Sequence, residues 1–285
     1  AYQAAREKRV SISCFDRITN GDIMNRKIIL SGFYKAINEN EFFVMYQPKV
    51  DVKTRTLAGA EALVRWKHGD GFIMPGSFIP VLENDGCICI LDFYMLDKVC
   101  RFIRKIIDEN MQPVKISVNF SKRHLSNNKF VEEIVDIIDK YGVPHGLIEV
   151  ELTEGEDYHD HGVMKDIVEE LNALGIRTSI DDFGTGYSSL SMLNSLQLDT
   201  LKIDKSFIPT STKDKKSKGM IMLRSVVNLA KDLGLKTVAE GVETHEQFEL
   251  MKKLGCDMIQ GYIFDKPLTE ADFVQRIKQR VYDEV

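Results

Sequence analysis

From Val114 to Gln260 one arrangement recurs: a short apolar run rich in β-branched residues, a longer amphipathic stretch, a glycine, then another apolar run. The runs Val114–Asn119, Ile148–Leu152, Arg177–Asp181, Thr200–Ile203, Thr237–Ala239 and Asp257–Gln260 read as strands. Between them Phe130–Tyr141, Val163–Leu174, Gly219–Leu233 and His245–Leu254 carry apolar residues at helical spacing. These four stretches run into Gly142, Gly175, Gly234 and Gly255, the residue type suited to the left-handed position that closes a helix. Strand, helix, glycine and strand in repetition imply parallel strands joined by crossover helices. Upstream, a helical pattern (Ile28, Ile29, Phe33, Ala36, Ile37) precedes two more strand-like runs, Phe42–Val50 and Leu57–Arg65. Only the polar turn Asp51–Arg55 separates them, so the first strand is expected to run antiparallel to the rest. Six strands and this pair make eight, which predicts a closed (β/α)8 TIM-like barrel of the α/β class, with an open doubly wound sheet as the alternative.

The 285 residues suffice for one such barrel, predicted over residues 26–285. Residues 1–25 read as a separate tail, with a short charged helix (Ala1–Arg9), an apolar patch (Ile12–Phe15) and the turn Thr19-Asn20-Gly21-Asp22. A net charge of −5 disfavours binding to duplex nucleic acid through its phosphates, but a local cation can still hold a small anionic ligand. The five cysteines, Cys14, Cys87, Cys89, Cys100 and Cys256, form no Cys-x-x-Cys, which excludes a zinc knuckle and points to free thiols in a reducing cytoplasm. No apolar run approaches the roughly 18–20 residues that span a bilayer, and the N-terminus has no signal-peptide core. It also lacks an initiator methionine, so the chain is expected to be part of a longer protein, which could be membrane-anchored through regions upstream.

Polar residues fall at the ends of the predicted strands. Glu61 interrupts the second; Asn119, Glu151, Asp181-Asp182, Glu240 and Gln260 end others; Lys202 and Asp204 flank Ile203. In a parallel barrel the strand C-termini converge on one mouth, where active sites lie. Five carboxylates gathered there (Glu61, Glu151, Asp181, Asp182, Glu240) repel one another unless cations neutralise them. A single acid at a strand end reads as a helix cap or ion-pair partner, and Asp181-Asp182 before Phe183-Gly184-Thr185-Gly186 reads equally as an Asx-capped turn. Recurrence at successive strand ends, with Lys202 among them, is not explained by capping. The donors are oxygens, which suits Mg²⁺ or Mn²⁺ better than zinc or copper. The adjacent aspartates could bridge two ions about 3.5–4 Å apart, the arrangement of phosphoryl-transfer and hydrolysis sites. Lys202 is expected to stay protonated among the acids.

Glu61-Ala62-Leu63-Val64-Arg65 resembles the signature of EAL domains, which are cyclic di-GMP phosphodiesterases. The likeness continues through Tyr46-Gln47-Pro48, Val118-Asn119-Phe120-Ser121, Glu151-Leu152-Thr153-Glu154 and Asp181-Asp182-Phe183-Gly184-Thr185-Gly186-Tyr187-Ser188-Ser189-Leu190. It closes with Leu201-Lys202-Ile203-Asp204, Ala239-Glu240-Gly241-Val242-Glu243-Thr244 and Gln260-Gly261-Tyr262. Each motif is weak alone; the ordered set, over about residues 26–280, is specific.

The resemblance implies a barrel with one antiparallel strand and hydrolysis of cyclic di-GMP to linear pGpG. It implies a first divalent ion on Glu61, Asn119, Glu151 and Asp181, and a second on Asp181, Asp182 and Glu240. Lys202 would assist an attacking water, and Gln47, Arg65 and Gln260 would contact substrate. Glu154 would anchor the Asp181-Asp182 loop and Glu243 would support Glu240, with Asp204 beside Lys202 in the same supporting layer. Homodimerisation through barrel helices is a further expectation. The tail before Arg26 is similar to the end of a GGDEF (diguanylate cyclase-like) domain. Two other readings remain at this point: a catalytically silent cyclic di-GMP receptor acting through a protein partner, and a barrel hydrolase for another phosphodiester.

Overall fold

A computed structural model describes residues 26–153, 160–183, 193, 195–209 and 217–282. Nine strands among them form one sheet: β1 (Phe42–Asp51), β2 (Leu57–His68), β3 (Gly71–Ile73), β4 (Lys115–Phe120), β5 (Ile148–Thr153), β6 (Arg177–Phe183), β7 (Thr200–Ile203), β8 (Lys236–Glu240) and β9 (Met258–Gln260). Their order is β1-β9-β8-β7-β6-β5-β4-β2-β3, and β1 also pairs with β2, so eight strands close on themselves. Closure excludes the open sheet. From β2 through β4 to β9 every neighbouring pair in the ring is parallel. β1 runs antiparallel to β9, with Val50 opposite Ile259. The fold is therefore the barrel expected from the sequence, first strand reversed.

The helices are α1 (26–38), α2 (Pro75–Asp85), α3 (Ile88–Asp108), α4 (Phe130–Lys140), α5 (Asp160–Ala173), α6 (Lys218–Asp232), α7 (His245–Leu254) and α8 (Glu270–Gln279). The four glycines expected to close α4, α5, α6 and α7 all have positive φ, from 58° at Gly142 to 80° at Gly175. α7 shows both ends resolved by its sequence: Thr244 and Gln247 form a capping box, and Gly255 is the left-handed stop. β3, α2, α3 and α8 are elements that the sequence reading did not place. No described helix is long and apolar enough to cross a membrane, and Cys87, Cys89, Cys100 and Cys256 carry thiols outside any disulfide.

The described residues divide into two compact units: residues up to Phe43 with Arg65–Ile88, and Val44–Val64 with residues from Cys89 onward. The first is organised around the buried rings of Phe33, Phe42, Trp66 and Phe78, with the Trp66 indole N–H donating to Glu41 Oε2 at 2.8 Å. The second is the barrel. Along its strands alternate residues point to opposite faces. One set, including Ile203, Ala239 and Ile259, packs against Leu223, Val227, Phe248 and Met251 of α6 and α7. Burying each such side chain contributes about 1.5–3 kcal/mol. The other set, which includes Ser117, Glu149, Glu151 and Lys202, faces the barrel interior, where these polar side chains are buried.

Candidate active site

Register brings the polar residues level with one another. Glu61 pairs with Ser117, Asn119 with Glu151, Thr153 with Asp181 and Glu240 with Gln260. β2 and β7 are not neighbours in the sheet, yet Lys202 Nζ reaches Glu61 Oε2 at 3.2 Å, so these two meet across the interior. The same ammonium lies 2.8 Å from Glu151 Oε2, 2.9 Å from Asp181 Oδ1 and 2.8 Å from Glu240 Oε1. Lys202 is 1% exposed. One buried cation thus sits among four carboxylates drawn from four strands.

The charges perturb each other in consistent directions. Burial works against the Lys202 ammonium, but Glu151, Glu61, Glu240 and Asp181 outweigh it and hold its pKa well above the ordinary lysine value. Burial pushes Glu240 up to about 8, with Glu61 and Asp181 adding to the rise and Lys202 opposing it. Burial, then Glu151, also raises Glu61. Glu151 goes the other way: against burial, Lys202 and Lys49 bring it down to about 2.

Hydrogen bonds lock the set. Asn119 Nδ2 donates to Glu61 Oε1 at 2.7 Å and Gln260 Nε2 to Glu61 Oε2 at 2.6 Å. Gln260 Nε2 also lies 3.3 Å from Gln47 Oε1. Glu61, Glu151 and Asp181 each offer an oxygen, all within 4.8 Å of one another. Among the described residues Gln260 Oε1 is buried with no hydrogen-bond partner. An all-oxygen donor set with more negative charge than Lys202 balances, beside an orphaned acceptor, fits a hard divalent cation.

The EAL domain family model matches residues 32–267. The chain belongs to the EAL domain family. MucR of Pseudomonas aeruginosa, a bifunctional diguanylate cyclase/cyclic di-GMP phosphodiesterase, is 34% identical over 268 residues, 94% of this chain and 39% of MucR. PdeG of Escherichia coli, a probable cyclic di-GMP phosphodiesterase, is 38% identical over 248 residues, 85% of this chain and 48% of PdeG. The chain therefore spans less than half the length of these curated relatives. A solved structure of the P. aeruginosa MucR phosphodiesterase in complex with c-di-GMP superposes with a TM-score of 0.80 at 34% identity, covering 86% of this chain and 99% of that one.

In this EAL domain Glu61, Glu151, Asp181, Glu240 and Lys202 meet at one point, with Asn119 and Gln260 bonded to Glu61. A neighbouring cleft of about 280 Å³ is lined by Gln47, Asp204, Glu240, Glu243, Gln260 and Tyr262. Glu243 is exposed on it, at the entry to α7. Asp204 caps the short turn Lys205–Phe207 by accepting from the Ser206 N–H at 2.8 Å. Arg65 lies four positions after Glu61 on β2, half-buried. Glu154, the Asp182 side chain and the glycine loop after Phe183 lie outside the described residues, as does the tail 1–25. Gly261 follows Gln260 because the backbone of Val242 passes where a Cβ would stand.

Sequence reasoning missed the charges below the mouth. Lys49 is buried on β1, Glu149 on β5, and both sit in the barrel interior with Ser117. The available signal was Glu149 standing two residues before Glu151, and Lys49 two after Gln47, each on the same strand face.

Proposed function

We propose that this EAL domain is a metal-dependent phosphodiesterase that hydrolyses cyclic di-GMP to linear pGpG. The observation that carries the reading is Lys202, buried within 3.2 Å of carboxylates from β2, β5, β6 and β8. Such a concentration of acids around one ammonium is costly as structure alone, and it suits a site built for cations and a phosphodiester.

Glu61, Asn119, Glu151 and Asp181 would hold one divalent ion, Mg²⁺ or Mn²⁺, and Asp181, Asp182 and Glu240 a second. Ions held there supply acidified water and positive charge for the phosphoryl oxygens. Lys202, kept protonated by the acids around it, adds positive charge where negative charge develops in the transition state. Gln260 and Asn119 fix the Glu61 carboxylate through both oxygens, which holds that ligand in one orientation. Gln47, facing the cleft with Gln260, is the contact for a guanine edge or phosphate oxygen, and Arg65 for a substrate phosphate. The tail before Arg26 is read as the end of a GGDEF-like domain.

Purified protein incubated with cyclic di-GMP and Mg²⁺ or Mn²⁺ should yield pGpG on chromatography, with no turnover in EDTA. Folded protein giving no product in either metal refutes the proposal. Tight nucleotide binding without hydrolysis in that experiment would identify a receptor instead.

A further inference from the structure

Beneath the mouth the barrel holds a second buried cation. Lys49 is 4% exposed. Its ammonium donates to Glu151 Oε1 at 2.8 Å and to Ser117 Oγ at 2.7 Å, with Glu149 Oε1 at 3.5 Å. Glu149 is paired through its other oxygen with Lys115. The two oxygens of Glu151 are therefore committed in different directions: Oε1 to Lys49, and Oε2 to Lys202 at 2.8 Å. Lys202 is the group that Glu61, Asp181 and Glu240 share.

Whether a carboxylate presents one oxygen or two decides which cation it suits. Ca²⁺ accepts six to eight oxygens in flexible geometry and readily takes both oxygens of a carboxylate, whereas Mg²⁺ demands a tight octahedron. We propose that Lys49 is a positioning residue that restricts Glu151 to a single oxygen at the metal site and so biases the site toward small octahedral cations over Ca²⁺. This rests on the assignment of Glu151 as a metal ligand made above.

The geometry resists the alternative arrangement. Turning Oε1 toward the mouth breaks the ion pair to Lys49, and Glu151 is fully buried, so water cannot readily replace the lost partner. Ser117 and Glu149 hold the ammonium in place from β4 and β5, so it does not follow a rotating carboxylate. A purely electrostatic role would act differently, because a fixed positive charge weakens all divalent ions by a common factor.

The two roles separate in a calorimetric titration of metal-free protein with Mg²⁺, Mn²⁺ and Ca²⁺ alone. The proteins are wild type, Lys49→Met, and Lys49→Met/Glu149→Gln, in which one positive and one negative charge leave together; circular dichroism checks folding. In both variants the Ca²⁺/Mg²⁺ affinity ratio should rise by about tenfold, the lower end of the range over which partners of a metal ligand tune affinity. An unchanged ratio, including a common shift for all three ions, overturns the proposal and leaves the metal site standing. Wild-type binding that Glu61→Ala does not weaken, or no binding at all, removes the site assignment and the proposal with it. Should neither variant fold, a Mn²⁺-soaked wild-type crystal decides. One Glu151 oxygen on the metal with Lys49 retained on the other supports the assignment, and two oxygens on the metal overturn it.

Discussion

Replacing Lys202 by methionine keeps the unbranched stem of the side chain and removes its terminal charge from the midst of four carboxylates. Two charges 3 Å apart interact by about 5 kcal/mol at an effective dielectric near 20, so four contacts at 2.8–3.2 Å set an upper bound of roughly 20 kcal/mol. The acids will not leave that sum uncompensated. They take up protons, and the net loss falls to about 3–5 kcal/mol, as for other buried ion pairs with one partner removed. At about 2.1 cal/mol/K per residue the unfolding entropy of a 285-residue chain is about 0.6 kcal/mol/K, so the metal-free variant should melt about 5–8 °C below wild type. The pH dependence has a definite sign. Glu240 already titrates near 8 in the folded protein, above the usual glutamate value. The native state therefore binds more protons than the unfolded chain between about pH 4.5 and 8, and this group's contribution to stability declines as pH rises through that window. Without Lys202 the carboxylate pKa values climb further, so the deficit should be largest at pH 8 and shrink toward pH 5. Mn²⁺ should raise the melting temperature of Lys202→Met more than that of wild type, because it restores the missing charge. Equal melting of the two metal-free proteins at pH 8, or equal gains from Mn²⁺, would refute this account.

Glu61→Ala should abolish turnover and weaken Mn²⁺ binding while circular dichroism stays unchanged; calorimetry on the metal-free protein measures the binding. Gly261→Ala should lower stability by about 1–3 kcal/mol, the usual cost of forcing extra atoms into a packed site, because its Cβ would overlap the Val242 backbone. Gly76→Ala meets open space and should change the unfolding free energy read from urea denaturation by no more than about 0.5 kcal/mol. His145 Nε2 donates to Asp139 Oδ1 at 2.9 Å, and this bond raises its pKa above the usual histidine value. The stability it contributes is fully present below about pH 6.5 and lost as pH rises through the folded value. His145→Gln should therefore flatten the melting temperature between pH 6 and 8, and an unchanged slope would show the bond to be idle.

The strands were legible because β-branched runs ended at polar residues and the helices between them ended at glycine. All eight barrel strands are found where the sequence placed them, and His245–Leu254 matches α7 residue for residue. The stretch between β2 and β4 was not legible. Residues Ile88 to Leu96 of α3 form an apolar run broken only by Asp92, and such a run does not distinguish helix from strand by periodicity; α2 carries Pro80 inside it, which reads as a break. At the site the acids and Lys202 declared themselves by recurring at strand ends. Lys49 did not, because a period-2 pattern tells which face a residue occupies and not whether water lies on that face. In an ordinary sheet Gln47 and Lys49 would be solvated; in a closed barrel the same face is the interior.

The reversed first strand has a practical corollary. Its turn into β2 opens at the rim opposite the acids, since every other strand of the ring points its carboxyl end the other way. Within that turn Asp51 Oδ1 accepts from the Lys53 and Thr54 N–H groups and from the Thr54 hydroxyl, while Val52 and Arg55 on either side are tied to Asp257 and Tyr282 by backbone hydrogen bonds. Fluorophores or affinity tags attached at Lys53, which is exposed in that turn, would hang from the end of the barrel opposite Lys202 and the acids around it.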